Sequence, residues 1–139
     1  MYRKTWAAPA EWALGNETVS WAGTSIEEGV FVVWSKETRQ YYGFSTETGD
    51  YLWTTDPQYY LDFHVATETA LVYGNLYSCG VSGIVYCYDL ETGDRTWFYE
   101  ANDPYQEYLW NNNWWAQIIF ITDGKLYIGH SEHSVIDPK

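Results

Sequence analysis

A loop rich in aromatic and amide side chains is the part of this sequence best suited to hold a ligand. It joins two predicted strands over roughly residues 100–117 and carries Trp110, Asn112, Trp114 and Trp115. Aromatic rings beside amide groups suit a sugar or another flat ligand, because they offer both stacking and hydrogen bonds. The alternative is that the same rings fold under the loop as a small satellite core.

A second long loop, roughly residues 54–69, adds Tyr59 and His64 as secondary candidates for the same ligand face. Each of the two loops joins the last strand of one predicted unit to the first strand of the next. Since antiparallel strands alternate in direction, we expect both loops to open on one side of the molecule. Long loops on a rigid scaffold commonly carry binding residues.

Residues that could bind a metal are sparse. His130 and His133 form a His-x-x-His pair, but zinc needs further ligands in a tetrahedral array, and a surface loop explains the pair better. Asp89, Glu91 and Asp94 could offer oxygens to calcium, although their spacing does not follow an EF-hand loop. We therefore predict no metal site.

No catalytic motif is recognised either. The chain has no Gly-rich phosphate loop, no Gly-x-Ser-x-Gly elbow and no Cys-x-x-Cys pair. Its two cysteines, Cys79 and Cys87, flank a predicted hairpin with a turn centred on residues 81–82. In that register Cys79 faces Ile84 and Cys87 faces Leu76. Because side chains alternate between faces along a strand, we expect the two thiols to point to opposite sides, without a disulfide between them.

An internal repeat supplies the elements that position these residues. Residues 44–53 and 88–97 share Glu, Thr, Gly, Asp and Trp in one order, and Trp97 follows Trp53 by 44 residues (97 minus 53). Upstream, Gly29 matches Gly74, and a third copy starts around Gly124. A period near 45 residues built from short strands fits a four-stranded propeller blade.

The second copy predicts all four strands of a blade. Apolar residues alternate with polar ones between turn glycines, which places strands at 70–73, 75–79, 84–89 and 94–99. In the last turn we expect Asp89 to accept backbone N–H bonds and Gly93 to supply a positive φ. In the first copy Ser45 stands in place of Asp89, and we expect it to accept the same backbone N–H bonds more weakly. One blade cannot bury both faces of its sheet, so blades must stack.

The pattern small-x-Asp-x-x-Thr-Gly-x-x-x-Trp resembles the tryptophan-docking motif of quinoprotein-type (PQQ-like) β-propeller repeats. The matching residues are Gly43, Ser45, Thr48, Gly49 and Trp53 in the first copy, and Cys87, Asp89, Thr92, Gly93 and Trp97 in the second. The first copy departs from the pattern only at Ser45. The resemblance covers about residues 18–130 and implies that each Trp packs on a neighbouring blade.

We therefore predict an all-β chain of four-stranded antiparallel propeller blades, about two of them whole, with partial flanking blades. Residues 1–17 would end a preceding blade, because residues 3–6 read like residues 94–97. Residues 18–58 and 59–103 would form the whole blades, and residues 104–139 a long loop and the first half of a third. Closed propellers use four to eight blades. We thus expect a piece of a longer chain or a ring completed by other copies.

The charge narrows the classes of partner. The net charge is −12, and only seven Lys and Arg residues are spread over the chain. Binding to a phosphate backbone needs clustered cations, so we predict no nucleic-acid partner. No apolar run approaches the roughly 18 residues that span a bilayer, so we predict no membrane span.

The resemblance implies different functions for different relatives. Our main hypothesis is a non-catalytic module for binding or scaffolding, with no cofactor, whose partners are other blades, copies of itself, a protein or a glycan. The alternative is a fragment of a PQQ-dependent quinoprotein dehydrogenase, which would hold the quinone beside calcium; the metal ligands and catalytic base of that family match no position here. A third hypothesis is a carbohydrate-binding face on Trp110, Trp114 and Trp115. The resemblance also favours a location outside the cytoplasm.

Overall fold

The computed structural model of the chain describes residues 3–8, 10–13, 19–59, 68–102 and 115–131. Within these ranges the chain forms ten β-strands and one short 3-10 helix, Ala10–Ala13. No helix in the described ranges is long and apolar enough to cross a membrane. Trp110, Asn112, Trp114 and His64 of the predicted ligand face lie outside the described residues.

The first sheet consists of four consecutive antiparallel strands in the order β1-β2-β3-β4. Their bounds are Val19–Ser25, Val30–Ser35, Gln40–Ser45 and Tyr51–Thr54. Side chains alternate between the two faces of the sheet. Val30, Val32 and Tyr41 thus share the face that packs on the second sheet.

The second sheet repeats this order with strands β5-β6-β7-β8. Their bounds are Glu68–Val72, Asn75–Cys79, Ile84–Asp89 and Arg95–Glu100. The first two strands meet in a two-residue turn, in which Tyr73 and Gly74 have φ of 55° and 71°. Two successive positive φ values match the twist of the flanking strands, and this is why such turns dominate short hairpins.

A third sheet pairs β9 (Trp115–Thr122) with β10 (Lys125–Ser131). Asp123 and Gly124 form its turn, again with two positive φ values. Ala116, Ile118, Leu126 and Ile128 pack on the second sheet. The three sheets therefore stack face to face in chain order, and the predicted all-β architecture of four-stranded propeller blades with a partial blade is confirmed.

The predicted register of the hairpin that contains the cysteines is wrong by one residue. Tyr77, not Leu76, lies opposite Cys87. Gly83 adopts a φ of 66° and donates its N–H to the Gly80 carbonyl, and this turn places one more residue on the β7 side. Cys79 shares a face with Tyr77 because the two are separated by one residue. The two thiols thus point to the same side, and both are free.

Residues 3–8, expected to belong to the end of a preceding blade, are irregular, and their Trp6 packs on aromatic residues of the first sheet. One further expectation differs from the structure. Trp115 is the first residue of β9, opposite Ser131, rather than part of the preceding loop. The apolar run that follows Trp115 favours strand, and the ladder with β10 extends to its N-terminal end.

Candidate functional site

The turns that close both whole blades have the same geometry. Ser45 Oγ accepts the backbone N–H groups of Glu47 and Thr48 at 3.2 and 3.1 Å. Asp89 Oδ1 accepts those of Glu91 and Thr92 at 2.8 and 2.9 Å. The shorter bonds belong to the ionised acceptor, as expected for charge-assisted hydrogen bonds.

A glycine completes each of these turns. Gly49 and Gly93 have φ of 71° and 77°, and each donates its N–H to the carbonyl of the first turn residue at 2.9 Å. An L side chain rarely adopts this conformation. Each turn therefore carries no side chain at its glycine, which lets a flat ring approach closely.

The Trp53 ring lies between the first two sheets, in the space left by the missing side chain of the turn glycine. Its Nε1 donates to the carbonyl of Leu90 at 2.8 Å, and its ring lies against Gly93 on one side and Gly43 on the other. A Cβ atom at Gly43 would lie 2.2 Å from the ring, and one at Gly93 would lie 2.8 Å from it. The ring is only 5% exposed, so the two glycines form a slot that fits the indole.

A buried polar network links the same two sheets beyond this slot. Tyr41 and Ser78 share a hydrogen bond of 2.8 Å between their hydroxyl groups. Ser78 also donates to Gln58 Oε1 at 3.1 Å, and Gln58 Nε2 donates to the hydroxyl of Tyr88 at 3.0 Å. Buried polar groups are tolerated when they are paired, and these four side chains satisfy one another across the interface.

Burial also shifts the acid–base properties of this interface. It raises the pKa of Tyr41 and of Tyr88 far above the ordinary tyrosine value, because the charged phenolate would lose its hydration. It likewise raises the pKa of the Cys79 thiol to about 12 and raises that of Cys87. Both thiols are therefore protonated at neutral pH, and neither has the thiolate character of a reactive cysteine.

The second pair of sheets is held together differently. Cys79, Val85 and Ala116 form an apolar cluster. At its edge the backbone N–H of Ile118 donates to Glu68 Oε2 at 2.6 Å, and that of Ala116 donates to the Gly80 carbonyl at 3.2 Å. In the second sheet these contacts involve β5, β6 and Val85 of β7. The last two strands of a sheet are called here its outer half. In the second interface the outer half of the second sheet is covered at β7, whereas β8 has no described neighbour there.

Trp97 occupies the position of Trp53 in the second blade but not its environment. It lies opposite Cys87, as Trp53 lies opposite Gly43. Since even a single carbon atom at Gly43 would collide with the Trp53 ring, the Cys87 side chain excludes the same placement for Trp97. The Trp97 ring is 42% exposed and lies 5.9 Å from that of Tyr77.

Strand β8 is exposed along its whole length although half of it is aromatic. Trp97, Phe98 and Tyr99 are all about half exposed, and none of the described strands pairs with the outer edge of β8. The guanidinium of Arg95 lies 5.4 Å from the centre of the Phe98 ring. An unpaired edge beside aromatic rings is a ready template for another strand.

The described part of the predicted ligand face is small. Tyr59 is exposed, and its backbone N–H donates to the Tyr86 hydroxyl at 3.3 Å. Trp115 is half buried at the start of β9. The structure does not bring these two residues together in any described contact, so the carbohydrate-binding face stays a prediction.

The described residues do not form a calcium site. Calcium prefers six or more oxygen ligands, and no group of three or more His, Cys, Asp or Glu side chains in the described ranges could hold a metal ion. Asp89, one of the three carboxylates that could offer oxygens to calcium, accepts hydrogen bonds from two N–H groups of its own turn.

Sequence reasoning missed both the buried network and the exposed strand. The network joins residues far apart in the chain, and only its polar side chains within apolar strands, such as Ser78, could have signalled it. The run Trp97-Phe98-Tyr99 gave a clearer signal. Consecutive aromatics place apolar surface on both faces of a strand, and all three rings of β8 remain about half exposed.

No family model matches this chain, and no curated protein matches it. Among solved structures, one match is the crystal structure of BamB from Moraxella catarrhalis, with 16% sequence identity and a TM-score of 0.45. The match covers 60% of this chain and 24% of that chain. The chain thus spans about a quarter of the solved protein, and the architecture stated above rests on the sheets themselves.

Proposed function

We propose that this chain is a non-catalytic β-propeller module that binds proteins, and that an extended segment of the partner pairs with the outer edge of β8. The observation that carries the proposal is the exposure of all six residues of β8, three of them aromatic. Exposed apolar surface next to an unpaired edge is costly to leave in water and typical of a binding surface.

The roles of the polar side chains support a module without catalysis. Ser45 and Asp89 close turns, while Tyr41, Ser78 and Gln58 bond across a buried interface. Catalytic acids and bases need pKa values near the working pH. The buried groups with shifted pKa values, Tyr41 and Cys79 among them, are moved away from neutrality by burial.

The edge of β8 differs from the corresponding edge of β4. On β4 the large ring, Trp53, is turned into the next sheet and is buried. On β8, Trp97 and Tyr99 on one face and Phe98 on the other all remain accessible. A strand added to β8 would gain main-chain hydrogen bonds and cover a ring on each face, which is the mode of β-augmentation.

A peptide-display selection on the full chain tests this proposal. Selected peptides are expected to be rich in β-branched and aromatic residues, and Phe98→Glu is expected to weaken their binding by more than tenfold. The matched control is Leu52→Glu on β4, also an exposed apolar residue of an outer strand, which should leave affinity within about twofold. Fluorescence polarisation of labelled peptides gives both values.

A second set of ligands tests the mode of binding. Peptides N-methylated at alternate amides lose the main-chain donors of one edge, so they should bind at least tenfold more weakly than the parent peptides. Equal binding of methylated and parent peptides would rule out pairing with β8. Equal binding to the wild type and to Phe98→Glu would remove β8 as the site.

A further inference from the structure

We infer that the partner segment at β8 runs antiparallel to that strand and carries a basic, a large apolar and an acidic residue at alternate positions, in that order from its N-terminus. This specificity rests on the proposed function, in which a partner segment pairs with the outer edge of β8. Two features of β8 carry it: which backbone groups point away from the sheet, and which side chains share each face.

Alternate residues of β8 point their backbone groups away from the second sheet, whose four strands are all described and of which β8 is the last. Glu100 lies opposite Ile84. The pair beyond it is bonded, because Ala101 donates its N–H to the Gly83 carbonyl at 2.8 Å. In an antiparallel ladder, bonded pairs alternate with pairs that do not bond to each other. The N–H and C=O groups of Glu100 and Phe98 therefore face the outer edge.

The first sheet has the same alternation at its outer edge. Thr54 lies opposite Tyr42, and in the pair beyond it Thr55 donates its N–H to the Tyr41 carbonyl at 3.0 Å. The outward direction of alternate backbone groups is thus a property of both blades. A segment that pairs with β8 would exchange main-chain bonds with Phe98 and Glu100.

One face of β8 carries a cation, an aromatic ring and a carboxylate. Phe98 and Glu100 share this face because they are two residues apart. Phe98 lies opposite Tyr86, and Arg95 lies opposite Tyr88, two residues further along β7. Arg95 therefore belongs to the same face, and its guanidinium lies 5.4 Å from the centre of the Phe98 ring. The ring lies between a positive charge on one side and a negative charge on the other.

Both charges act on the same hydroxyl group. Burial raises the pKa of Tyr86, the N–H of Tyr59 and the Arg95 cation lower it, and the Glu100 carboxylate raises it. Arg95 and Glu100 thus both lie near the ring that is opposite Phe98. All residues of β8 are exposed, so both charges are accessible to a partner.

The side chains of an added segment would lie beside this row. A residue opposite Phe98 shares its face, so a large apolar side chain at that position covers the ring. Opposite charges directly across a ladder attract each other, and like charges repel. A basic residue therefore fits opposite Glu100, and an acidic residue fits beside Arg95 at the other end of the row.

The direction of the segment sets the order of these residues. The described strand pairs of this chain are antiparallel, and antiparallel pairing is slightly more stable per residue than parallel pairing. In an antiparallel segment the residue opposite Glu100 precedes the one opposite Phe98 by two positions. The order from the N-terminus is then basic, apolar, acidic, whereas a parallel segment would need the reverse order.

The two intervening residues of the segment meet the other face of β8. They lie on the side of Trp97 and Tyr99, both about half exposed, because neighbours along a strand point to opposite faces. β-branched residues pack well against aromatic rings of an adjacent strand. The core Lys-Thr-Ile-Thr-Glu meets the requirements of all five positions.

Two peptides of identical composition test the order of the charges. One contains the core Lys-Thr-Ile-Thr-Glu and the other Glu-Thr-Ile-Thr-Lys, with the same flanking residues. The first should bind the full chain at least about fivefold more tightly in fluorescence polarisation, because attractive cross-strand pairs replace repulsive ones. The preference should shrink from about 0.1 to 1 M NaCl, over which the Debye length falls from about 10 Å to about 3 Å.

Exchange of the two charges on the protein tests the residues themselves. Arg95→Glu combined with Glu100→Arg keeps the net charge and should reverse the preference between the two peptides. The matched control is Lys36→Glu combined with Glu37→Lys, which exchanges an ion pair between β2 and β3 and should keep the wild-type preference. Circular dichroism of both double variants should match that of the wild type.

The outcomes separate this inference from the proposed function. Equal affinity for the two peptides, tighter binding of the second, or binding of neither would overturn the inferred order of residues. Display-selected peptides that bind the wild type and lose affinity for Phe98→Glu would in each case still support pairing at β8. If no selected peptide depended on Phe98, the proposed function would fail, and the inferred segment with it.

Discussion

Trp53 and Trp97 hold the same place in two copies of one repeat, yet one is enclosed and the other is not. The Trp53 ring is 5% exposed and bonds to the Leu90 carbonyl, whereas the Trp97 ring is 42% exposed. The sheet that follows Trp53 has four strands, and the one that follows Trp97 has two in its described part. Within the described residues, the enclosed indole is the one that an outer half-sheet faces.

Burial of the indole also depends on the residue that lies opposite the tryptophan in its own sheet. Gly43 leaves room for the ring, and Cys87 at the same position does not. A tryptophan at the right place in the repeat is therefore not sufficient. The residue beneath it must be small and the neighbouring turn must offer a glycine and a carbonyl oxygen.

The largest expected effect is the difference in stability between truncating Trp53 and truncating Trp97. Trp53→Ala should lower the free energy of unfolding by about 3–5 kcal/mol, the usual cost of truncating a buried aromatic. Trp97→Ala should cost less than about 1 kcal/mol, because exposed positions contribute little. Urea titration of each variant measures both values. Equal losses would contradict the difference in burial between the two sites.

A smaller loss of stability is expected when the buried polar network between the first two sheets loses one hydroxyl group. Tyr41→Phe leaves Ser78 without one partner in a buried site, which should cost about 1–3 kcal/mol at neutral pH. The exposed Tyr73 serves as a control, and Tyr73→Phe should change stability by less than about 0.5 kcal/mol. Urea titrations at pH 7 compare the two, and similar losses would contradict the role of the buried hydroxyl.

The same variant has a pH signature with a defined sign. Burial raises the pKa of Tyr41 above its ordinary value of 10.0, so the folded state keeps a proton that the unfolded state releases above that pH. Stability should therefore be intact below pH 10 and fall above it, by up to about 1.4 kcal/mol per pH unit for each such tyrosine. Tyr41→Phe lacks one of these groups, so its stability should decline less steeply between pH 10 and 11.

The smallest expected effect concerns the two turns. Ser45→Asp should raise the free energy of unfolding by about 0.5 kcal/mol, because an ionised acceptor makes stronger bonds to the same N–H groups. Asp89→Ser should lower it by a similar amount. Thermal unfolding of the two variants checks the pair, and a change of the same sign in both would contradict the comparison.

Most of the fold follows from local sequence signals. Turn residues such as Gly74 and Gly93 fix where strands end, and the strands of the second blade were predicted to within two residues. The register near Cys87 was not, because the turn at Gly80–Gly83 adds a residue whose placement depends on φ at Gly83. A sequence does not distinguish a glycine that serves as a simple turn from one that shifts a register.

The candidate sites were less predictable because they depend on what lies opposite. The exposure of Phe98 and Phe120 reflects which neighbouring sheet covers them, and no property of the strand itself records that. The bonds of Tyr41 join residues 37 positions apart. The sequence motif indicated which residues face the next sheet. It did not indicate whether the last two strands of that sheet are present to cover them.

The closing turn of each blade has a consequence for how such chains diverge after duplication. The donors of its hydrogen bonds are backbone N–H groups, and its side-chain needs are an oxygen on the first residue, a threonine hydroxyl and a residue that tolerates positive φ. Ser45 and Asp89 already show that different residues meet the first need. A duplicated blade can therefore change nearly all of its surface and much of its core while it keeps its turn. The shared geometry of the turn would then reveal common descent of two blades after their sequence similarity is lost.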